Sequence, residues 1–158
     1  MLFGGAYMAR VKAFRFEWTD AWDSISEGFD SILETSESGE VSIQFLVNGK
    51  PFQLNLTDIE DKFIEDMKIL KKWNKREYHN FNIFDGTMWS LHFTYDTSVI
   101  VARGMGGFPS NFLVFLNILH EKYNVPKAEL EDEKTIKQDI KNTEIFKNPN
   151  IDSWAMYL

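Results

Sequence analysis

Residues 41–57 leave the chain little freedom. Val41, Ile43, Phe45 and Val47 alternate with Ser42, Gln44 and Leu46; Asn48-Gly49 follows, and Phe52, Leu54 and Leu56 then alternate with Gln53, Asn55 and Thr57. A period of two puts every second side chain on one face of a strand, and Asn-Gly supplies the positive φ values of a type I′ turn. The segment therefore reads as a β-hairpin with one apolar and one polar face. A lone hairpin is marginal in water, so the rest of the chain has to cover that apolar face.

Cover is offered at once. Thr57 and Glu60 have the spacing of a capping box, Asp58, Glu60 and Asp61 would sit at the positive end of a helix dipole, and Lys68, Lys71 and Lys72 at its negative end. With Ile59, Phe63, Met67, Leu70 and Trp73 as a buried stripe, the pattern predicts a helix over 58–73. Upstream, Phe14, Phe16 and Trp18 alternate with Arg15 and Glu17, predicting a first strand over 11–18, and 29–35 reads as a short second strand. Residues 74–88 read as a loop rich in Asn and aromatics. Trp89, Leu91, Phe93 and Tyr95 then alternate with Ser90, His92 and Thr94, and a turn at Asp96 and Thr97 leads to Ser98–Ala102, a second hairpin. Gly104 to Gly107 opens a second helix over 109–123, with Pro109 in its first turn. Phe112, Phe115, Leu116, Leu119 and Tyr123 form one stripe of it and Leu113, Val114 and Ile118 another, so burial on nearly every side is expected.

The ends read differently. Residues 1–7, before the second methionine Met8, look like an upstream extension. Beyond Pro126, Ala128 to Lys141 has only Leu130, Ile136 and Ile140 as large apolar residues and reads as an appendage, while Phe146, Ile151, Trp154, Met156, Tyr157 and Leu158 suggest a tail that docks on its own domain or on a partner. The expected organisation is an extension over 1–7, one α+β domain over 8–126 and a charged appendage over 127–158. The domain would be an antiparallel sheet of two hairpins plus an N-terminal strand, with two helices on one face.

Composition narrows the function. The 158 residues include no cysteine, which excludes disulfides, a thiol nucleophile, iron–sulfur clusters and thiolate zinc sites. Seventeen basic against 24 acidic residues leave a net charge of −7, which disfavours binding nucleic acid by neutralising phosphates. No apolar run is long enough to span a bilayer, so a soluble, cytoplasmic protein is expected. His79, His92 and His120 lack a short ligand spacing and no nucleophile motif is present, so no metal, cofactor or catalytic residue is assigned.

Two segments remain as candidate sites. Between Phe16 and Gly49 there is no Lys or Arg, while Glu17, Asp20, Asp23, Glu27, Asp30, Glu34, Glu37 and Glu40 are acidic and Trp18, Trp22 and Phe29 lie among them. Glu17, Asp20, Trp22, Asp23, Glu27 and Asp30 would form a face for a protein partner with a basic surface, Trp22 its anchor; the rival reading is a solubilising surface. The alternative site is the turn after the second hairpin. Arg103, Gly104, Gly106 and Gly107 would hold an anion at a helix start in a small enzyme or ligand-binding domain, with His92 nearby on the polar face beside Ser90 and Thr94. The spacing matches neither phosphate-loop signature, and a tight strand-to-helix turn accounts for the glycines.

The run Asp85-Gly86-Thr87-x-Trp89-x-Leu91 through Tyr95, followed by Gly104 and Pro109-Ser110-Asn111-Phe112-x-x-Phe115-x-x-x-Leu119, resembles a family of small uncharacterised α+β proteins from low-GC Gram-positive bacteria and their mobile elements. Gly106 stands where that pattern has Asn, and Phe108 where it has Tyr. The resemblance carries no known chemistry. It implies a fold and a genomic setting, in which a non-enzymatic phage anti-defence protein or immunity-type inhibitor is the expected form of the acidic interaction protein.

Overall fold

The computed structural model describes residues 9–20, 27–83 and 86–151. β1 (Val11–Asp20), β2 (Phe29–Thr35), β3 (Val41–Val47) and β4 (Lys50–Asn55) come first, then α1 (Glu60–Asp66), which tightens into a 3₁₀ helix at Met67–Trp73. β5 (Arg76–His79), β6 (Thr87–Tyr95), β7 (Ser98–Met105), α2 (Phe112–Tyr123), α3 (Glu133–Lys141) and β8 (Glu144–Lys147) complete it. Among the described residues the strands form one eight-stranded sheet in the order β4-β3-β2-β1-β6-β7-β5-β8.

Alternation decides which side chains share a face. Phe14, Phe16 and Trp18 stand opposite Phe93, Leu91 and Trp89, and all six are buried. The described helices bring their rings to this inner face: Phe63 of α1 meets Phe14 and Phe93, Trp73 meets Trp89, and Phe112 of α2 meets Phe16, Trp18 and Trp89. The α+β class and both expected hairpins are present, with Asn48 and Gly49 at positive φ in the first turn. No described helix is long and apolar enough to cross a membrane.

The sheet is mixed and larger than two hairpins and a strand. β5 falls within the expected Asn-rich loop and runs parallel to β7; β8 pairs antiparallel to β5. Both are only four residues long, too short to show a period. The capping box does not form. Thr57 Oγ1 accepts from Val41 N at 2.9 Å, and the buried Glu60 carboxylate accepts from Arg10 N and Val11 N, at 3.0 and 2.8 Å, so both side chains tie strands rather than cap a helix. α2 is not covered all round, because Val114 is exposed and Leu113 and Ile118 are half-buried.

Residues 127–151 are packed onto the domain rather than appended to it. Ala128 and Ile136 join the core cluster, Ile151 is buried, and Phe108 N donates to Thr143 Oγ1 at 3.0 Å. A few apolar positions suffice because Ile136 points inward while Glu133, Lys134, Lys137 and Lys141 of α3 stay in water. Ile136→Ala is expected to destabilise the protein by about 2 kcal/mol in urea unfolding, whereas a separable appendage would show no change. The tail residues Trp154, Met156, Tyr157 and Leu158, and the proposed anchor Trp22, lie outside the described residues.

Candidate functional site on the outer face of the sheet

The side chains that alternate with the core line the opposite, outer face, where register sets up a row of charge. Glu17 stands opposite Ser90, Ser90 opposite Arg103, Arg103 opposite Glu77 and Glu77 opposite Phe146, so the row crosses five strands. At one end Arg15 Nε lies 2.8 Å from Glu17 Oε1, and its NH2 group 3.7 Å from Asp30 Oδ1. At the other, Arg103 NH2 lies 2.9 Å from Glu77 Oε1, with both side chains largely withdrawn from solvent.

Electrostatics differ between the two ends. Burial pushes the Glu17 carboxyl above its ordinary range; Arg15 opposes this and Asp30 reinforces it. Burial would also raise Glu77, but hydrogen bonds from Asn148, His79 and Arg103 together outweigh it and hold the carboxyl below its ordinary range. Glu77 is thus an anion held by three donors, and it fixes β5 between β7 and the residue that follows β8. Next to it the His79 ring lies parallel to Phe81 with centroids 5.5 Å apart, and Phe146 meets both rings edge-on. Phe81, Phe146 and Met105 are exposed.

Of the six residues expected to form an acidic face, the structure brings together Glu17 and Asp30, with Arg15 between them. Asp20 ends β1, Glu27 precedes β2 with its carbonyl accepting from Leu130 N at 2.9 Å, and Trp22 and Asp23 lie outside the described residues. The acidic surface extends instead along β2 and the turn into β3, through Asp30, Glu34, Glu37 and Glu40. At the end of β2, β3 and β4 lies a shallow hollow of about 530 Å³ lined among others by Glu34, Glu40, Ser42, Gln44, Gln53 and Asn55. Carboxylates, amide oxygens and hydroxyls suit it to accept hydrogen bonds from cationic donors.

The glycine turn is built for packing. Arg103 is engaged by Glu77, Gly106 N donates to Thr87 O at 2.8 Å, and Gly107 O accepts from Trp89 Nε1 at 2.8 Å. Gly106 has φ +68, and a Cβ on Gly104 would lie 2.2 Å from Trp89 Nε1. One glycine therefore supplies backbone freedom and another a close approach. His92 lies on the outer face with Nε2 3.1 Å from Thr94 Oγ1.

Sequence reasoning did not single out Glu77 and Phe81, met His79 only as a histidine without ligand spacing and Phe146 only as part of the apolar tail, and expected none of the four to share one patch. The alternation of Glu77 and His79 about the buried Tyr78 was the patch's only signal, and it spans too few residues to stand out. Among the described residues no group of three His, Cys, Asp or Glu could hold a metal ion. Compared with protein-family models, curated proteins and solved structures, the chain matches none.

Proposed function

We propose that the chain is a non-enzymatic binding module that receives a basic element of another macromolecule on the acidic end of its outer sheet face. The observation that carries the reading is the hollow at the end of β2, β3 and β4, whose lining holds Glu34 and Glu40 with hydrogen-bond acceptors and no Lys or Arg. Asp30 and Glu17 continue the acidic surface toward β1, where Arg15 pairs with both, and the stretch from Phe16 to Gly49 itself contains no Lys or Arg. Such a surface attracts a positively charged partner over several ångströms and speeds encounter at low salt. The resemblance to proteins of mobile elements supports an inhibitor's role, in which the acidic face occupies a basic groove of the target. Exposed Ile32, between the hollow and the Arg15 cluster, supplies apolar contact area of the kind that anchors an interface.

The test is charge reversal on a partner recovered by affinity capture. Glu34→Lys with Glu40→Lys is expected to weaken binding by about tenfold or more at low salt, mainly through a slower association rate, with the fold and melting temperature little changed because both side chains are exposed. Unchanged affinity and an association rate insensitive to salt would sink the reading.

A further inference from the structure

His120, near the end of α2, is held at both ring nitrogens by acceptors. Nδ1 lies 2.7 Å from the Val125 carbonyl oxygen and Nε2 lies 2.6 Å from Glu131 Oε1. The His120 and Glu131 side chains are 6% and 9% exposed, so water offers little substitute for either bond. A carbonyl and an ionised carboxylate can only accept, whereas a neutral imidazole has one N–H to give; both contacts are satisfied together by the imidazolium. The neutral ring would set a lone pair against an oxygen.

The pair closes a loop. After Asn124, whose left-handed conformation (φ +61) ends α2, the chain turns back, and the second oxygen of Glu131 accepts from Ala128 N at 2.6 Å. The same loop touches the acidic segment at two points: Asn48 Nδ2 donates to Lys127 O at 3.1 Å and Asn48 Oδ1 accepts from Glu129 N at 2.8 Å, and Leu130 N donates to Glu27 O. The groups facing the imidazole from its neighbours are Glu131, which favours the cation, Lys127, which opposes it, and the Phe29 ring of β2, whose centroid lies 6.4 Å away.

We propose that the His120–Glu131 pair is a pH-sensitive latch, which closes the loop over residues 125–132 when His120 is protonated and releases it when His120 loses that proton. This goes beyond the binding reading and holds whether or not the acidic face has a partner. Burial works against the cation, but the bonds to Glu131 and Val125 outweigh it and raise His120 above its ordinary value of 6.5. In the opened loop the ring returns to the ordinary value. The latch is therefore at full strength below about pH 6.5 and is lost as pH climbs through the raised value, with the opening constant rising by up to about tenfold per pH unit inside that window.

The experiment is amide hydrogen exchange at Ala128, Leu130 and Glu131 from about pH 5.5 to 9, corrected for the intrinsic exchange rate, together with a ¹⁵N titration of the His120 ring in the full chain. The expected result is loss of protection that follows the His120 titration, at a midpoint above 6.5, and no such pH dependence in His120→Gln. In Glu131→Gln, which keeps a hydrogen-bonding side chain, the His120 midpoint is expected to fall. A midpoint at or below 6.5, the same pH dependence in His120→Gln, or a midpoint unmoved in Glu131→Gln would overturn the proposal. Should His120→Gln not fold, the native titration and Glu131→Gln decide it.

Discussion

Phe112→Ala is expected to remove about 3–5 kcal/mol of folding stability, toward the upper end of that range. Phe112 is fully buried and touches six rings: Phe16, Trp18, Trp73, Trp89, Phe108 and Phe115, at centroid distances from 4.6 to 6.3 Å. These come from β1, β6, the 3₁₀ helix, the turn before α2 and α2 itself. Their backbones belong to several elements and cannot all move inward, so the void left by the ring would persist. A domain of this size has a net stability of about 5–15 kcal/mol, and the substitution takes a large share of it. Urea unfolding with an unchanged m-value is the measurement. A loss under about 1 kcal/mol would show that the rings do not meet at Phe112.

Gly104→Ala is expected to be nearly as damaging, by a different route. The new Cβ would lie 2.2 Å from Trp89 Nε1 and 2.6 Å from Gly107 O, so the indole has to move and its buried hydrogen bond to Gly107 O is lost. Overpacking and a broken buried bond together cost about 2–5 kcal/mol. Gly49→Ala is the control: nothing lies within 4 Å of a Cβ there, and its φ of +76 leaves only backbone strain of about 1 kcal/mol. Near-ultraviolet circular dichroism should change for Gly104→Ala and not for Gly49→Ala. Equal effects would mean that the indole does not crowd the Cβ position at residue 104.

What could be read in advance follows from how far each signal extends along the chain. The β3–β4 hairpin and β1 show five or more alternating positions, and Asn48-Gly49 marks the turn, so they were legible. α1 was placed correctly in kind, but the conversion to a 3₁₀ helix at Met67 left no mark in the apolar spacing, because Met67, Leu70 and Trp73 fit both helical periods. β5 and β8 were invisible because pairing with β7 and with each other, not composition, makes them strands. The candidate site suffered likewise. A run of acidic letters says nothing of Arg15 standing between Glu17 and Asp30, since β1 and β2 meet there only through the fold. Glu77 gains its meaning from Arg103 and Asn148, both remote in sequence.

β1 is the earliest strand of the sheet and one of its two central ones; its long partner is β6, with Val11 set against Tyr95. During synthesis, Phe14, Phe16 and Trp18 are therefore made long before the strand that pairs with them, and β1–β4 present an unpaired apolar edge until Thr87–Tyr95 has left the ribosome. Closing so long a loop is slow, and an uncovered edge of this kind invites pairing between nascent chains. Arg15 and Glu17, interleaved with the aromatics, put charge on that edge while it waits. The seam between β1 and β6 thus sets the pace of folding as well as the register of the sheet, and the yield of soluble protein will depend on how long that seam stays open.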